Sequence, residues 1–439
     1  MMRVRVGILC LSLLTTAKIG VCQVPATPTP HDAGVTLTLA QAESIAIANQ
    51  PRILAAQLRS QASSQRVREV RAGLLPTVAF NATGVTVADT GTSTAAGAIT
   101  TSSISDRFAY GGNLVQMVTD FGRTSALTGA ERSLAEAQKN VETLTGAQIR
   151  LNVRRAYFQV MGAEAVLRAA REAQSNRQLI SKQIGALAQS QLRSTRDVNF
   201  AAVLESEAEL AVVRAESAVQ QQRSHLASAM GESQPVTATL AEEALPAALP
   251  PDASSFLAQA MVQRADLKAT VSRENAAARF ASAEKRLNYP TLNVIGAAGE
   301  IPYHDHTLHD NYAAIGFNLN IPVFNGGLFS ARRNEAELEA RARMQDVNEA
   351  KLEVNEQVRD SWYQANETYR SLDVSARLVA QSKEALRLAQ ARYETGLGSI
   401  VELNEAQLSE TSAEITAAGA SYDYLTRRAE LDYAAGLLN

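Results

Sequence analysis

Three groups of residues in this chain have types and spacings that could do chemistry. Glu402 and Glu405 stand three apart, so a helix would carry both carboxylates on one face, where they would attract cations. His304, Asp305, His306, His309 and Asp310 contain a His-x-His step beside carboxylates, a spacing that can chelate a divalent ion. The candidate ligands there are His304, His306 and His309. They fall between two strand-like runs with no evident second shell, so the segment reads as a polar loop and no metal is expected. Gly396-Leu397-Gly398 lies between two helical stretches, and its glycines permit a tight reversal. No nucleophile–base pair, phosphate-cradling glycine loop or metal-hydrolase motif stands in the sequence. The chain is expected to be no enzyme and to use no cofactor.

The elements that would position these residues are unusual. Leu328 to Thr395 runs 68 residues without Gly or Pro, which as one helix is about 100 Å long at 1.5 Å per residue. A similar segment, Arg123 to about Gln189, lies roughly 205 positions earlier. Each follows a pair of strand-like runs: about 77–87 and 107–119 in the first half, about 291–301 and 312–323 in the second. Leu75-Pro76 answers Tyr289-Pro290 at an offset of 214; past the first strand–strand loop, which carries the nine-residue excess, the matches hold at 205: Tyr157 answers Trp362, Leu192 answers Leu397, Ser194 answers Ser399 and Asp197 answers Glu402. The reading is an internal duplication: residues 37–233 as the first repeat, 234–254 as a Pro-rich linker and 255–439 as the second. Each repeat holds a helix, two strands, a long helix and a further helix. In the first repeat the opening helix is expected to run from Thr38, as N-cap, to about Ala72, and in the second from about Ser255 to Leu287.

Composition bounds the class. Among 439 residues, 5% are aromatic, too few for one large core, and the net charge is −3 with Lys and Arg interleaved among Glu. No nucleic-acid footprint follows. Arg3 and Arg5 precede the short apolar run Val6–Leu14, so residues 1–22 read as an export signal and 23–36 as a Pro/Thr linker. The only cysteines are Cys10 and Cys22, so no disulfide is expected. Acylation of Cys22 is the alternative to simple cleavage beside it, and Ile19-Gly20-Val21 approaches such a site poorly.

Past the signal no apolar run reaches the roughly 18 residues of a membrane helix. The strand candidates, at about 10 to 12 residues, suit a tilted membrane strand. In the last of them Ile315, Phe317, Leu319 and Ile321 alternate with small or polar residues. Four strands cannot close a barrel, and an open edge in lipid costs several kcal/mol per unpaired group, so the edges must meet other chains. Three copies would give about twelve strands. The long helices carry Leu338, Ala342, Val347, Leu352, Val358, Tyr369, Leu372, Leu378, Leu386 and Tyr393 on a helical period, a stripe that needs burial against neighbours. The expected fold is mainly α with a small β part. A coiled-coil stalk or adhesin without a pore is the competing reading.

At this point the chain resembles the TolC-like outer membrane factor family. The resemblance rests on the repeated element order, on Leu75-Pro76 and Tyr289-Pro290, on Phe324-Asn325-Gly326-Gly327, and above all on the run from Ala391 to Leu403. It implies a homotrimer with a 12-stranded barrel in outer-membrane lipid and a 12-helix tunnel projecting into the periplasm. There it would meet a periplasmic adaptor, or membrane fusion protein, bound to an inner-membrane transporter. It assigns an aperture to Glu402 and Glu405, entrance contacts to Asp197 and Tyr393, and adaptor-docking tips to Leu192, Ser194, Gly396, Leu397, Gly398 and Ser399. The first tip has lost both glycines, which sets its geometry apart from the second. The arginine that the family pairs with the entrance contacts falls on Gly398.

Overall fold

The computed structural model describes residues 36–86, 107–191, 194–246, 248–304 and 309–439. In chain order the elements are β1 (Thr36–Leu37), α1 (Leu39–Asn49), α2 (Pro51–Ala72), β2 (Thr77–Val85), β3 (Arg107–Thr119), α3 (Arg123–Gln189), α4 (Thr195–Met230), β4 (Thr239–Leu240), α5 (Ser254–Gln263), α6 (Ala265–Lys285), β5 (Thr291–Tyr303), β6 (Asn311–Asn320), α7 (Leu328–Glu394) and α8 (Ile400–Ala434). The two long helices are 67 residues each, close to the expected rods. No helix among the described residues is long and apolar enough to cross a membrane.

Thr38 caps α1 as expected: its hydroxyl accepts from the Gln41 N–H at 3.3 Å, and the Gln41 side chain accepts from the Thr38 N–H at 2.9 Å. The expected single opening helices are each split. Pro51 has no N–H, so it starts α2 rather than continuing α1, and Gln50 between them is extended. The second split has no proline. Arg264 takes φ −56°, ψ 123° between α5 and α6, held there by its buried guanidinium. The linker is also more ordered than its prolines suggest. Thr239-Leu240 pairs in parallel with Thr36-Leu37, and Val236, Ala238 and Leu240 are buried with Leu37 in the largest core cluster.

The main sheet has order β2-β3-β5-β6, antiparallel throughout. Its register gives the two faces different character, with exceptions at Val115 and Ile295 on the polar face and Glu300 and Asn311 at one end of the apolar face. Val78, Phe80, Leu114, Leu292, Val294, Ile315, Phe317 and Leu319 share one face, while Thr77, Asn81, Asn113, Asn293, Asn318 and Asn320 share the other. On the polar face Asn81 donates to Asn113 at 2.7 Å. The apolar face is open, with Phe80 at 72%, Ile315 at 85% and Phe317 at 75% exposure. β6 stops at Asn320, short of the expected Val323. Pro322 has no N–H to give the ladder and holds Ile321 extended ahead of it. β5 runs on to Tyr303, past the expected end at 301, and β2 ends at Val85 rather than 87.

Below the sheet the helices form a single layer four helices wide. In the half next to the sheet α3 packs against α2 and α6, and α6 against α7; in the far half α3 packs against α4 and α8, and α8 against α7. α3 and α7 therefore run the whole length, with shorter helices stacked end to end between and beside them.

Candidate functional site

The end farthest from the sheet is made of two hairpin tips. Both reverse the chain through a left-handed residue followed by a serine cap. At the second tip Gly396 has φ +78°, the Leu397 and Gly398 N–H groups both donate to the Arg392 carbonyl at 2.9 Å, and Ser399 accepts from the Glu402 N–H at 3.1 Å. At the first, Gln191 has φ +57° and Ser194 accepts from the Asp197 N–H at 3.3 Å. The loss of glycine thus leaves the turn conformation in place at this residue and adds strain of about 1 to 2 kcal/mol. Gln191→Gly is expected to stabilise the tip by about 0.5 to 1 kcal/mol, the gain being reduced by the entropy of an unfolded glycine. Hydrogen exchange of the amides at 194–198 should slow about two- to fivefold, and faster exchange would contradict the assignment. Leu192 lies outside the described residues.

Of the two entrance residues, Tyr393 is buried in an apolar cluster that joins four helices: Ile184 from α3, Ala201 from α4, Ala389 and Tyr393 from α7, and Ile400 and Leu403 from α8. Val198, one residue past Asp197, packs against that cluster. The Asp197 carboxylate is 14% exposed and lies 3.9 Å from the Arg196 guanidinium. Sequence position alone brings Asp197 and Tyr393 to the same end of the bundle, and the cluster is what links their helices.

Glu402 and Glu405 stand on the first turns of α8, as their spacing requires. Glu405 is exposed and Glu402 half-buried. Glu402 lies 3.2 Å from Arg392 across the tip, a pair that sequence reading did not anticipate. Both side chains are near half exposed, so the pair is worth little. About three turns farther along α8, Lys383 of α7 holds Glu414 at 2.8 Å, and its ammonium is raised in pKa by that partner. Burial, with the Glu414 carboxylate beside it, pushes the Glu410 carboxyl up to about 7. Arg177 of α3 is nearly buried and donates to Asn404 at 3.1 Å. Sequence reading passed over Arg177, Lys383 and Glu410. The i,i+4 glutamates Glu410 and Glu414 were the one visible signal.

Among the described residues no group of three or more His, Cys, Asp or Glu is placed to hold a metal ion, and positions 305–308 of the histidine loop lie outside them. His304 bonds Asp310 at 3.0 Å, and His309 is exposed. His306 lies outside the described residues.

Known proteins share this arrangement. The family model described as outer membrane efflux protein matches residues 43–232 and 256–437. The outer membrane protein TolC of Salmonella enteritidis is 24% identical over 92% of this chain and 84% of its own length. TolC of Escherichia coli strain K12 is 24% identical over 74% of this chain and 69% of its own. Among solved structures, the outer-membrane channel OprN aligns with TM-score 0.79 at 18% identity, covering 93% of this chain and 94% of that one. The outer membrane protein VceC of Vibrio cholerae aligns with TM-score 0.77 at 18% identity, covering 91% and 96%; at such identities these two likenesses speak for the fold. With an amphipathic sheet at one end and paired helical hairpins at the other, the chain belongs to the outer membrane efflux protein family, a family of TolC-like outer-membrane channels.

Proposed function

We propose that three copies of this chain close into a duct that carries substrates passively out of the cell. The observation that carries the reading is the four-stranded sheet. One face is apolar and open, the other polar, and β2 and β6 each have one unpaired edge among the described residues. In lipid those edges must be paired. The strands alternate in direction, so β6 of one copy meets β2 of the next antiparallel, and three copies give a twelve-stranded barrel with its polar face inward. The helical layer supports the same closure. Its edge helices keep apolar residues exposed, with Val203 and Val213 on α4 and Leu352 and Tyr363 on α7 above 50%. Neighbouring copies would cover them and complete a twelve-helix tunnel across the periplasm.

The two-repeat organisation is part of this proposal. Its support is positional. Tyr157 lies at 2.7 Å from the Ala241 carbonyl and Trp362 donates to the Pro250 carbonyl at 3.3 Å. Gln50 donates to the carbonyls of Ser228 and Ala229, and Arg264 to that of Ala434. The tips, Ser194 and Leu192 on one hairpin and Gly396 to Ser399 on the other, would dock a periplasmic adaptor that brings an inner-membrane pump. A pore-free stalk leaves the amphipathic sheet without a purpose.

The test is conductance of the purified protein in planar bilayers, with SDS-resistant, heat-modifiable migration as a trimer. Absence of both would remove the duct. Glu402 and Glu405 would ring the entrance, where clustered negative charge favours cations. Because Arg392 already faces Glu402, Glu405→Ala is expected to relieve block by divalent cations more than Glu402→Ala does, by about threefold or more in blocking concentration. Block that is unchanged in the double variant would remove the aperture from these residues.

A further inference from the structure

The chain carries a net charge of −3, but the band where its helices meet the sheet has the opposite sign. The ten residues of α2, α3, α6 and α7 nearest the sheet, with the segments that join them to the strands, carry ten Arg or Lys and six Asp or Glu. The surplus crowds against the sheet. Arg71 lies in the last turn of α2, Arg123 opens α3, Lys285 and Arg286 close α6, and Arg332 and Arg333 lie in the second turn of α7. Two of them share one carboxylate: Glu284, which is buried, lies 3.5 Å from Arg123 and 3.9 Å from Arg332. Arg286 donates to the Gly122 carbonyl beside them at 3.4 Å. The Arg123 Nε is buried with no acceptor, so donors outnumber acceptors here. Arg71, Arg286 and Arg333 have no ion-pair partner among the described residues. The same level carries Phe121 and Tyr289, rings 5.8 Å apart and both exposed, with Phe324 exposed as well. Aromatic rings favour the boundary between hydrocarbon and water, which puts these cations at headgroup height.

We propose that this band is a binding surface for anionic phospholipid. Its cations hold the headgroup phosphates of the leaflet nearest the helices, and Phe121, Tyr289 and Phe324 pack against the glycerol and upper acyl chains. Charge complementarity selects the partner. A zwitterionic headgroup brings a cation of its own and gains little from a positive surplus, whereas an anionic headgroup gains from each basic residue near it. Arginine suits the task because its planar fork matches phosphate oxygens. The acids of the band do not reverse the balance. Glu284 is buried between Arg123 and Arg332, Glu337 is held by Lys285 at 3.2 Å, and Asp120 accepts from the N–H groups of Gly122 and Thr124. Glu131 and Glu335 stand about two turns away from the sheet along their helices, which leaves Glu69 as the free acid level with the cations. The proposal rests on the sheet lying in lipid, as the duct reading has it, and is independent of whether the duct conducts.

The test presents the full-length protein, purified in a non-ionic detergent, with equimolar phosphatidylglycerol and phosphatidylcholine of identical acyl chains. Lipid retained through gel filtration is then quantified by mass spectrometry. The expected result is at least fivefold enrichment of phosphatidylglycerol. Arg71→Gln, Arg286→Gln and Arg333→Gln together remove three charges and leave the Glu284 pairs in place. They are expected to bring the enrichment below twofold with helical content unchanged. Arg214→Gln, Arg377→Gln and Arg387→Gln together alter the net charge equally at exposed sites far from the sheet, and should keep the wild-type enrichment. Equal retention of the two lipids by the wild-type protein, or the same enrichment in both triple variants, would overturn the proposal. Retention of neither lipid would remove it together with the sheet's place in lipid. The readout is lipid choice, so its failure is distinct from failure of the duct, which conductance reports.

Discussion

Gly299→Val is expected to abolish outer-membrane assembly. Gly299 faces Gly111 across the β3–β5 ladder, and the Tyr312 hydroxyl lies beside both. A Cβ on Gly299 would sit 2.7 Å from the Gly111 Cα and 2.8 Å from the Tyr312 hydroxyl, and closer still to the Tyr110 carbonyl oxygen. Overpacking against movable side chains costs about 1 to 3 kcal/mol, and here two of the three obstacles are backbone. The strands must part to admit it. Among the described residues β3–β5 is also the only ladder joining the two strand pairs, so its loss leaves two hairpins, each too small to be stable alone. SDS-resistant assemblies in the outer-membrane fraction should fall at least tenfold. Gly316→Ala is the control, since nothing lies within 4 Å of its added Cβ, and it should assemble normally. A Gly299→Val protein that assembles like wild type would mean that the strands pair in another register.

Much of this architecture can be read from residue order because long helices and strand pairs depend on local pattern. The run free of Gly and Pro from Leu328 became α7, and the alternation around Ile315 became β6 with its apolar face open. α3 is continuous despite Gly129, Gly146, Gly162 and Gly185, because packing overrides propensity: Gly129 lets the Arg279 side chain approach and Gly162 lies against Tyr422. Features that depend on distant partners were not legible. Pro51 marks the first helix break in plain view, but nothing local distinguishes Arg264. β4 is two residues long and owes its order to β1, some 200 positions away. The hairpin turns could be placed from Gly396-Leu397-Gly398 and the serines beside them. The burial of Arg177 and Gln407 above them could not, since it arises only when α3 meets α8.

Arg264→Leu is the second substitution with a large expected effect, and it separates the two halves of the chain. Arg264 is 6% exposed. Its guanidinium forks onto Asp266 at 3.0 and 2.5 Å, reaches Gln357 at 2.9 Å and donates to the Ala434 carbonyl at 3.4 Å, so one side chain ties the α5–α6 break to α7 and to the end of α8. Removing one partner of a buried pair costs about 3 to 5 kcal/mol. Asp266 keeps 35% of its side chain exposed, which places the expectation at the lower end, about 3 kcal/mol. Gln50 does the matching job in the first half with neutral bonds of 2.7 and 2.9 Å to Ser228 and Ala229, so Gln50→Ala should cost only about 1 kcal/mol. The pH dependence carries its own sign. Burial pushes the Asp266 carboxyl up, but Arg264 and the Leu267 N–H more than offset it and leave the pKa below its ordinary value. A group lowered in this way stabilises the fold above its unfolded pKa, and the contribution is lost as pH falls through the folded one. The gap in urea midpoint between wild type and Arg264→Leu should therefore be full at pH 7 and narrow once the pH drops below the ordinary carboxylate range. A gap that stays constant with pH, or an Arg264→Leu protein no weaker than Gln50→Ala, would show that the clamp works through packing alone.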